Sequence, residues 1–208
     1  MAYLVLVRHG ISEWNTLGIW TGITDTELTD EGREEARQAA KVLADIDLHR
    51  AYSSKLKRAK ETLDLLMSQL AQDNPETTEH AELNERDYGE LTGKNKWEVK
   101  EQYGEEKFMA WRRSWDHPVP GGETLKDVSE RVLPFYQERI LKDLQNGKNV
   151  IVAAHGNSLR ALMKYLEDVA DEDAHTVEIM TGEVLVYEID DNCKLVKKEI
   201  RLANDKKV

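Results

Sequence analysis

The sequence of 208 residues holds one cysteine, Cys193, and four prolines. A single thiol excludes an intrachain disulfide and a cysteine-based zinc site, and a reducing, cytoplasmic compartment is the expected location. Long apolar runs are also missing. None approaches the ~20 residues of a transmembrane helix. The N-terminal run in MAYLVLVRHG is too short for a signal-peptide core and has no basic lead-in. Positive charge is in deficit: 29 Lys+Arg face 40 Asp+Glu, for a formal net charge of −11. That balance argues against charge-driven binding to nucleic acid or to an anionic membrane, so arginines at an anion site must act locally. Repeats, low-complexity tracts and clear linkers are absent, and the length suffices for one well-buried core. One domain over 1–208 is expected.

Strand-like and helix-like segments alternate. Tyr3–Val7 and Val150–Ala154 are short, nearly continuous apolar runs, the pattern of parallel strands covered on both faces. Ala36, Ala39, Ala40 and Leu43 predict a helix over 30–45 with Thr29 as its cap. Leu56, Ala59, Leu63, Leu66 and Leu70 predict another over 55–71, capped by Ser54, after a strand-like Ala51-Tyr52-Ser53. Leu159, Leu162, Met163 and Leu166 predict a third over 157–168. A fourth spans about 124–145, with Pro134 expected to kink or break it. Residues 184–189 and 194–201 read as a hairpin around Asp190-Asp191-Asn192. The expected fold is an α/β class, three-layer α/β/α sandwich with a mostly parallel central sheet. Residues 84–122, rich in Trp, Arg, Gly and Pro, form the irregular stretch and a natural active-site wall or lid. The tail 204–208 is expected to be mobile.

Arg8-His9-Gly10 and His155-Gly156-Asn157 each end an apolar run, where ligands bind in open sheets of this class. Phosphoryl transfer needs a nucleophile, cationic clamps and a proton donor for the leaving oxygen. A neutral imidazole serves as nucleophile, and neighbouring arginines hold it neutral. Arg8 is adjacent to His9, and Arg58 opens the 55–71 helix at the same sheet edge. The helix after His155 offers free N–H groups to an anion. Glu85, in Leu83-Asn84-Glu85-Arg86, is the chosen proton donor among 40 acidic residues. The plainer readings stand beside these. A lone histidine after a strand is more often structural than catalytic, Arg112-Arg113 reads as a solvated helix face, and the five tryptophans read as core or wall. A metal held by His9 and His155 is disfavoured, because the flanking arginines repel a cation.

The stretches LVLVRHGISEWN, WTGITDTELTDEGREEA, SSKLKRA, LNERDYGELTGKNKWE, WRRSW, PGGETLKDV, AAHGNSLRALMKYL and TGEVLVYE run almost end to end. Through them the chain resembles the cofactor-dependent phosphoglycerate mutases of the histidine phosphatase superfamily. Arg-His-Gly carries only the superfamily. The LNER-YG stretch, Asn95-Lys96, Arg112-Arg113 and AAHGNSLRAL carry the mutase branch. The resemblance implies His9 as the phosphorylated nucleophile, Glu85 as general acid/base and His155 as support for the transferring group. It implies that Arg8, Arg58 and Asn15 clamp that group. It also implies that Ser12, Thr21, Gly22, Tyr88, Lys96, Arg112, Arg113, Gly156 and Asn157 line or hold the phosphoglycerate. The implied reaction interconverts 3-phosphoglycerate and 2-phosphoglycerate in glycolysis and gluconeogenesis. It is primed by 2,3-bisphosphoglycerate and needs no metal. The partners implied are small phosphorylated metabolites. Whether the chain is a monomer or a homo-oligomer is left open.

Two departures stand out. Ile11 follows Arg8-His9-Gly10, where the family typically carries a polar residue, and the stretch from Arg113 to Gly121 is short. Two other activities use the same residues: a phosphatase that hydrolyses the phosphohistidine, and a non-catalytic phosphometabolite-binding protein. Lys96 with Arg112 and Arg113 argues against the first, and intact His9, Glu85 and His155 against the second.

Overall fold

The computed structural model describes residues 1–73 and 75–203; the expectation for the tail 204–208 lies outside them. Six strands form one sheet in the order β3-β2-β4-β1-β5-β6. They are β1 (Ala2–Arg8), β2 (Arg50–Ser53), β3 (Glu76–Glu79), β4 (Val150–Ala154), β5 (Glu183–Ile189) and β6 (Leu195–Leu202). The first four are parallel, and the β5–β6 hairpin joins β1 antiparallel. Helices cover both faces, which gives the expected three-layer sandwich. Along β1 the side chains alternate: Leu4 and Leu6 enter one core, Val5 and Val7 the other, as the period-2 geometry of a strand requires.

The Val5/Val7 face packs on α2 (Asp30–Lys41) and α3 (Lys57–Met67). The Leu4/Leu6 face packs on α6 (Leu125–Phe135), α7 (Leu141–Gln145) and α8 (Gly156–Leu166). Thr29 caps α2 as expected, its side chain accepting from Gly32 N–H. The expected Ser54 cap of α3 is corrected. The helix starts at Lys57, so the capping position is Leu56, with no side-chain hydrogen bond; the Ser54 hydroxyl accepts from the Leu56 N–H and lies 2.7 Å from His155 Nε2. Pro134 does not break its helix. It has no N–H to give the Glu130 carbonyl, and the chain continues through a π-helical turn at Tyr136–Ile140 into α7, a common accommodation of a lost helix bond.

The 84–122 stretch is more regular than its composition suggested. It contains α4 (Lys96–Tyr103) and α5 (Glu105–Arg113), separated by Gly104 at φ 84°. With Trp20 it forms a third apolar cluster of Leu91, Val99, Phe108, Trp111 and Val119. The short α1 (Glu13–Thr16) completes the order.

Candidate active site

Parallel pairing brings the critical strand ends together. Arg8 pairs with Ala154 and Ser53 with Ala153, and His9 N–H donates to the Ala154 carbonyl at 3.0 Å. His9 and His155 therefore leave the same sheet edge, their ring centroids 4.9 Å apart. The loop after His9 runs against the start of α2. A methyl group on Gly10 would lie 2.2 Å from the Gly32 carbonyl oxygen, and one on Gly32 would lie 2.1 Å from that of Ile11. Both glycines are needed for this approach.

His9 is 3% exposed. Its Nδ1 lies 2.8 Å from the Gly10 carbonyl, which must receive Nδ1–H and so leaves Nε2 with its lone pair. Arg58 Nε approaches that atom at 3.4 Å, while the rest of its guanidinium donates to the Thr24 and Gly22 carbonyls at 2.8 Å each. Gly22 holds φ 54° to present that carbonyl. Burial, then Arg58 and Arg8, holds the His9 imidazole well below the ordinary histidine range, so it is neutral at pH 7. His155 is lowered in the same way by burial, Arg58, His9 and Arg8. Ser54 Oγ accepts from Leu56 N–H, and with its own proton donated to His155 Nε2 the imidazole carries Nδ1–H. Among the described residues, neither that buried nitrogen nor Arg8 Nε has a hydrogen-bond partner. Two orphaned buried groups beside a neutral imidazole suit an incoming anion.

Glu85 stands on the far side of Gly156, where an added methyl would meet Glu85 Oε2 at 3.6 Å and Arg8 Cζ at 3.7 Å. Its Oε1 accepts from Arg86 N–H, Asn157 N–H and Asn157 Nδ2 at 2.8, 3.1 and 3.1 Å. Asn157 Nδ2 also reaches Tyr88 Oη at 2.9 Å. The start of α8 thus holds Glu85 rather than presenting all its N–H groups to solvent.

One cavity is lined by Arg8, His9, Arg58 and Glu85 together with a second set of cations, Lys96, Arg112 and Arg113. Lys96 opens α4 beneath the Asn95 cap, and Arg112 and Arg113 close α5. Burial, then Arg112 and Arg8, pushes Lys96 down to about 8. Arg112 is lowered by burial and by Arg113. Arg113 pairs with Glu178 at 2.7 Å.

Asn15, Thr21, Gly22, Tyr88, Gly156 and Asn157 also line the cavity. Ser12 does not. It is fully buried as the cap of α1, with its N–H and hydroxyl on Asn15 Oδ1. Ile11 is likewise not a lining residue; its N–H goes to Glu35 and its carbonyl to Thr29. Trp20, Arg160, Glu178 and Ile179 line the cavity without having been named as ligand residues. For Arg160 a signal existed: an arginine on the apolar run Leu159-Arg160-Ala161-Leu162-Met163. Among the described residues, no three His, Cys, Asp or Glu side chains are arranged to hold a metal ion, and no helix is long and apolar enough to cross a membrane.

A neutral, buried imidazole with an unprotonated Nε2, set among guanidinium groups at the carboxyl edge of a parallel sheet, marks an α/β protein built to handle phosphate on histidine. The chain belongs to the histidine phosphatase superfamily (branch 1), whose family model matches residues 4–200. It is 46% identical to a 2,3-bisphosphoglycerate-dependent phosphoglycerate mutase of Parvibaculum lavamentivorans, over 97% of each chain. It is 47% identical to the protein of that name from Cytophaga hutchinsonii, over 90% of this chain and 88% of the other. Among solved structures, Bacillus stearothermophilus YhfR superposes with a TM-score of 0.81 at 26% identity, covering 100% of this chain and 98% of that one. A mycobacterial glucosyl-3-phosphoglycerate phosphatase complexed with VO3 gives 0.83 at 22% identity, over 97% and 98%, and shows the shared fold alone.

Proposed function

We propose that the protein interconverts 3-phosphoglycerate and 2-phosphoglycerate in the cytoplasm, through a phosphohistidine on His9 primed by 2,3-bisphosphoglycerate. The observation that carries this reading is the pair of cationic ends in one cavity. Removing a phosphoryl group needs only the end at His9. Holding a substrate that keeps a second anionic group needs Lys96, Arg112 and Arg113 as well. The 46–47% identical relatives bearing the mutase name support the same choice.

His9 Nε2 attacks the phosphorus of the bisphosphate, and the bond to the leaving oxygen breaks. Glu85 gives that oxygen a proton, which yields a monophosphoglycerate and phosphohistidine. Arg8, Arg58 and the Nδ1–H of His155 hold the non-bridging oxygens as charge spreads over them. In the return step Glu85 takes the proton of the free 2-hydroxyl of 3-phosphoglycerate. That oxygen attacks the phosphohistidine, the N–P bond breaks, and 2,3-bisphosphoglycerate forms. After it turns, His9 takes the 3-phosphoryl group and 2-phosphoglycerate leaves. Asn15, whose amide oxygen is held by Ser12, has its NH2 for the phosphoryl group. Thr21, Gly22 and Tyr88 line the substrate. The 84–122 segment serves as the wall that keeps the intermediate from water, and no step requires a metal.

A phosphatase would share the first step and lose the second. Purified protein given 3-phosphoglycerate, with and without 2,3-bisphosphoglycerate, should form 2-phosphoglycerate with stimulation by the bisphosphate and little free phosphate. Release of phosphate without isomerisation would reject the mutase reading, and no labelling of His9 would reject both.

A further inference from the structure

Arg160 is 4% exposed and lies one helical turn beyond Asn157 on α8. Burial, then Arg113, brings it down to about 10, so it remains charged at neutral pH. Nε donates to the Val177 carbonyl at 2.7 Å, NH2 to Ala174 at 2.9 Å and Arg113 at 3.3 Å, and NH1 to Arg112 at 3.4 Å. All of these acceptors are backbone carbonyls, and the contacts would serve packing alone. The remaining one is different: NH1 donates to the side-chain oxygen of Asn157 at 3.0 Å.

A guanidinium has no acceptor, so it fixes which end of the Asn157 amide faces it. With Oδ1 on Arg160, Nδ2 must face Glu85 Oε1 and Tyr88 Oη, where it is found at 3.1 and 2.9 Å. The opposite rotation would set an amide oxygen against a carboxylate and an NH2 against a cation. Glu85 Oε1 then accepts three N–H groups and has no room for a proton, whereas Oε2 is the oxygen beside Gly156 and Arg8.

We propose that Arg160 is a positioning residue for proton transfer. It locks the Asn157 amide so that Glu85 Oε1 is held as acceptor and Glu85 Oε2 carries the exchanging proton. The proposal rests on Glu85 acting as the acid/base group. Charged and titratable groups facing Glu85 from the surrounding elements are Arg8, Arg58, Lys96 and Tyr88. Those facing Arg160 are Arg113, Arg86, Tyr88 and Glu178. Among the described residues none of them hydrogen-bonds to Asn157 Oδ1, which Arg160 does, so the lock belongs to Arg160.

The test is a double-mutant cycle of Arg160→Met and Asn157→Ala, with Arg160→Lys as the conservative variant. It is read by kcat, KM and their pH profiles, and by the rate of His9 phosphorylation from 2,3-bisphosphoglycerate. Arg160→Met should lower kcat by about 10- to 100-fold, the scale of a misplaced catalytic group, and change KM by less than about threefold. Free rotation of the amide should move the acidic limb of the kcat profile to higher pH, and Arg160→Lys should restore it. On the Asn157→Ala background Arg160→Met should add nothing to either effect. Where Arg160→Met does not fold, Arg160→Gln takes its place in the cycle. An unmoved limb, or effects that add fully on the Asn157→Ala background, would overturn the proposal by making Arg160 a packing residue. A limb that survives Glu85→Gln would overturn its premise. Wild-type protein that phosphorylates His9 but does not isomerise 3-phosphoglycerate would sink only the mutase reading, since the cycle is then read on the phosphorylation rate.

Discussion

Lys96 offers a sharp test of the second cationic end. In the free protein burial and the neighbouring Arg112 and Arg8 bring its ammonium to about 8, from an ordinary 10.5. A bound anion replaces lost solvation and opposes both arginines, so binding should return Lys96 toward its ordinary range. Only the protonated form then binds well. The protonated fraction falls from about 0.9 at pH 7 to about 0.1 at pH 9, a loss of about tenfold in affinity or about 1.4 kcal/mol. The second ionisation of the substrate phosphate, near pH 6, lies below this window and adds no slope. Titration calorimetry of 3-phosphoglycerate into the His9→Gln variant, across pH 7–9, measures the effect without turnover. Near pH 8, buffers of different ionisation enthalpy should report uptake of roughly half a proton per site. Lys96→Arg should bind with a flat profile, and Lys96→Gln weakly at every pH. A loss of less than about twofold in the wild type, or an unchanged slope in Lys96→Gln, would refute the reasoning.

Two further outcomes follow from the other end. His9 and His155 are both buried and held well below 6.5, so the unfolded chain takes up protons before the folded one does. Stability should be full above pH 6.5 and fall as pH drops below it, by up to about 2.7 kcal/mol per pH unit for the two together. Urea unfolding should show this slope flattened in His9→Asn/His155→Asn, and an identical slope there would contradict it. Ile11→Glu should leave kcat within about twofold, because the backbone hydrogen bonds of Ile11 persist whatever its side chain and the residue does not line the cavity; a larger change in turnover would show that its side chain matters.

The sandwich was legible where burial is two-sided. Val150–Ala154 is wholly buried and reads as a continuous apolar run, and α2, α3 and α8 repeat at helical spacing because one face meets the sheet. β3 was not legible: Glu76-Thr77-Thr78-Glu79 is an edge strand with mostly exposed side chains, so no apolar pattern marks it. Helices α4 and α5 were hidden because they bury only Val99, Phe108 and Trp111, with Gly104 between them. Ser54 looked like a cap because its hydroxyl does accept a backbone N–H, that of Leu56, but the helix starts only at Lys57, and its bond to His155 is invisible in sequence. His9, Arg58 and His155 were placed by their position after strands. Lys96, Arg112 and Arg113 came only through resemblance, since their convergence depends on how α4 and α5 fold back over Trp20.

The third apolar cluster gives the cavity two independently supported ends. The nucleophile end is fixed by hydrogen bonds along the sheet, while Lys96 and Arg112 ride on helices cored by Trp20, Phe108 and Trp111. Both sets line one cavity, so how that small core seats on the sheet decides what the cavity holds. Exchanging α4 and α5 changes the charge of the molecule that fits while His9, Glu85 and His155 stay in place, and one scaffold can serve many phosphate esters by replacing one part of its cleft.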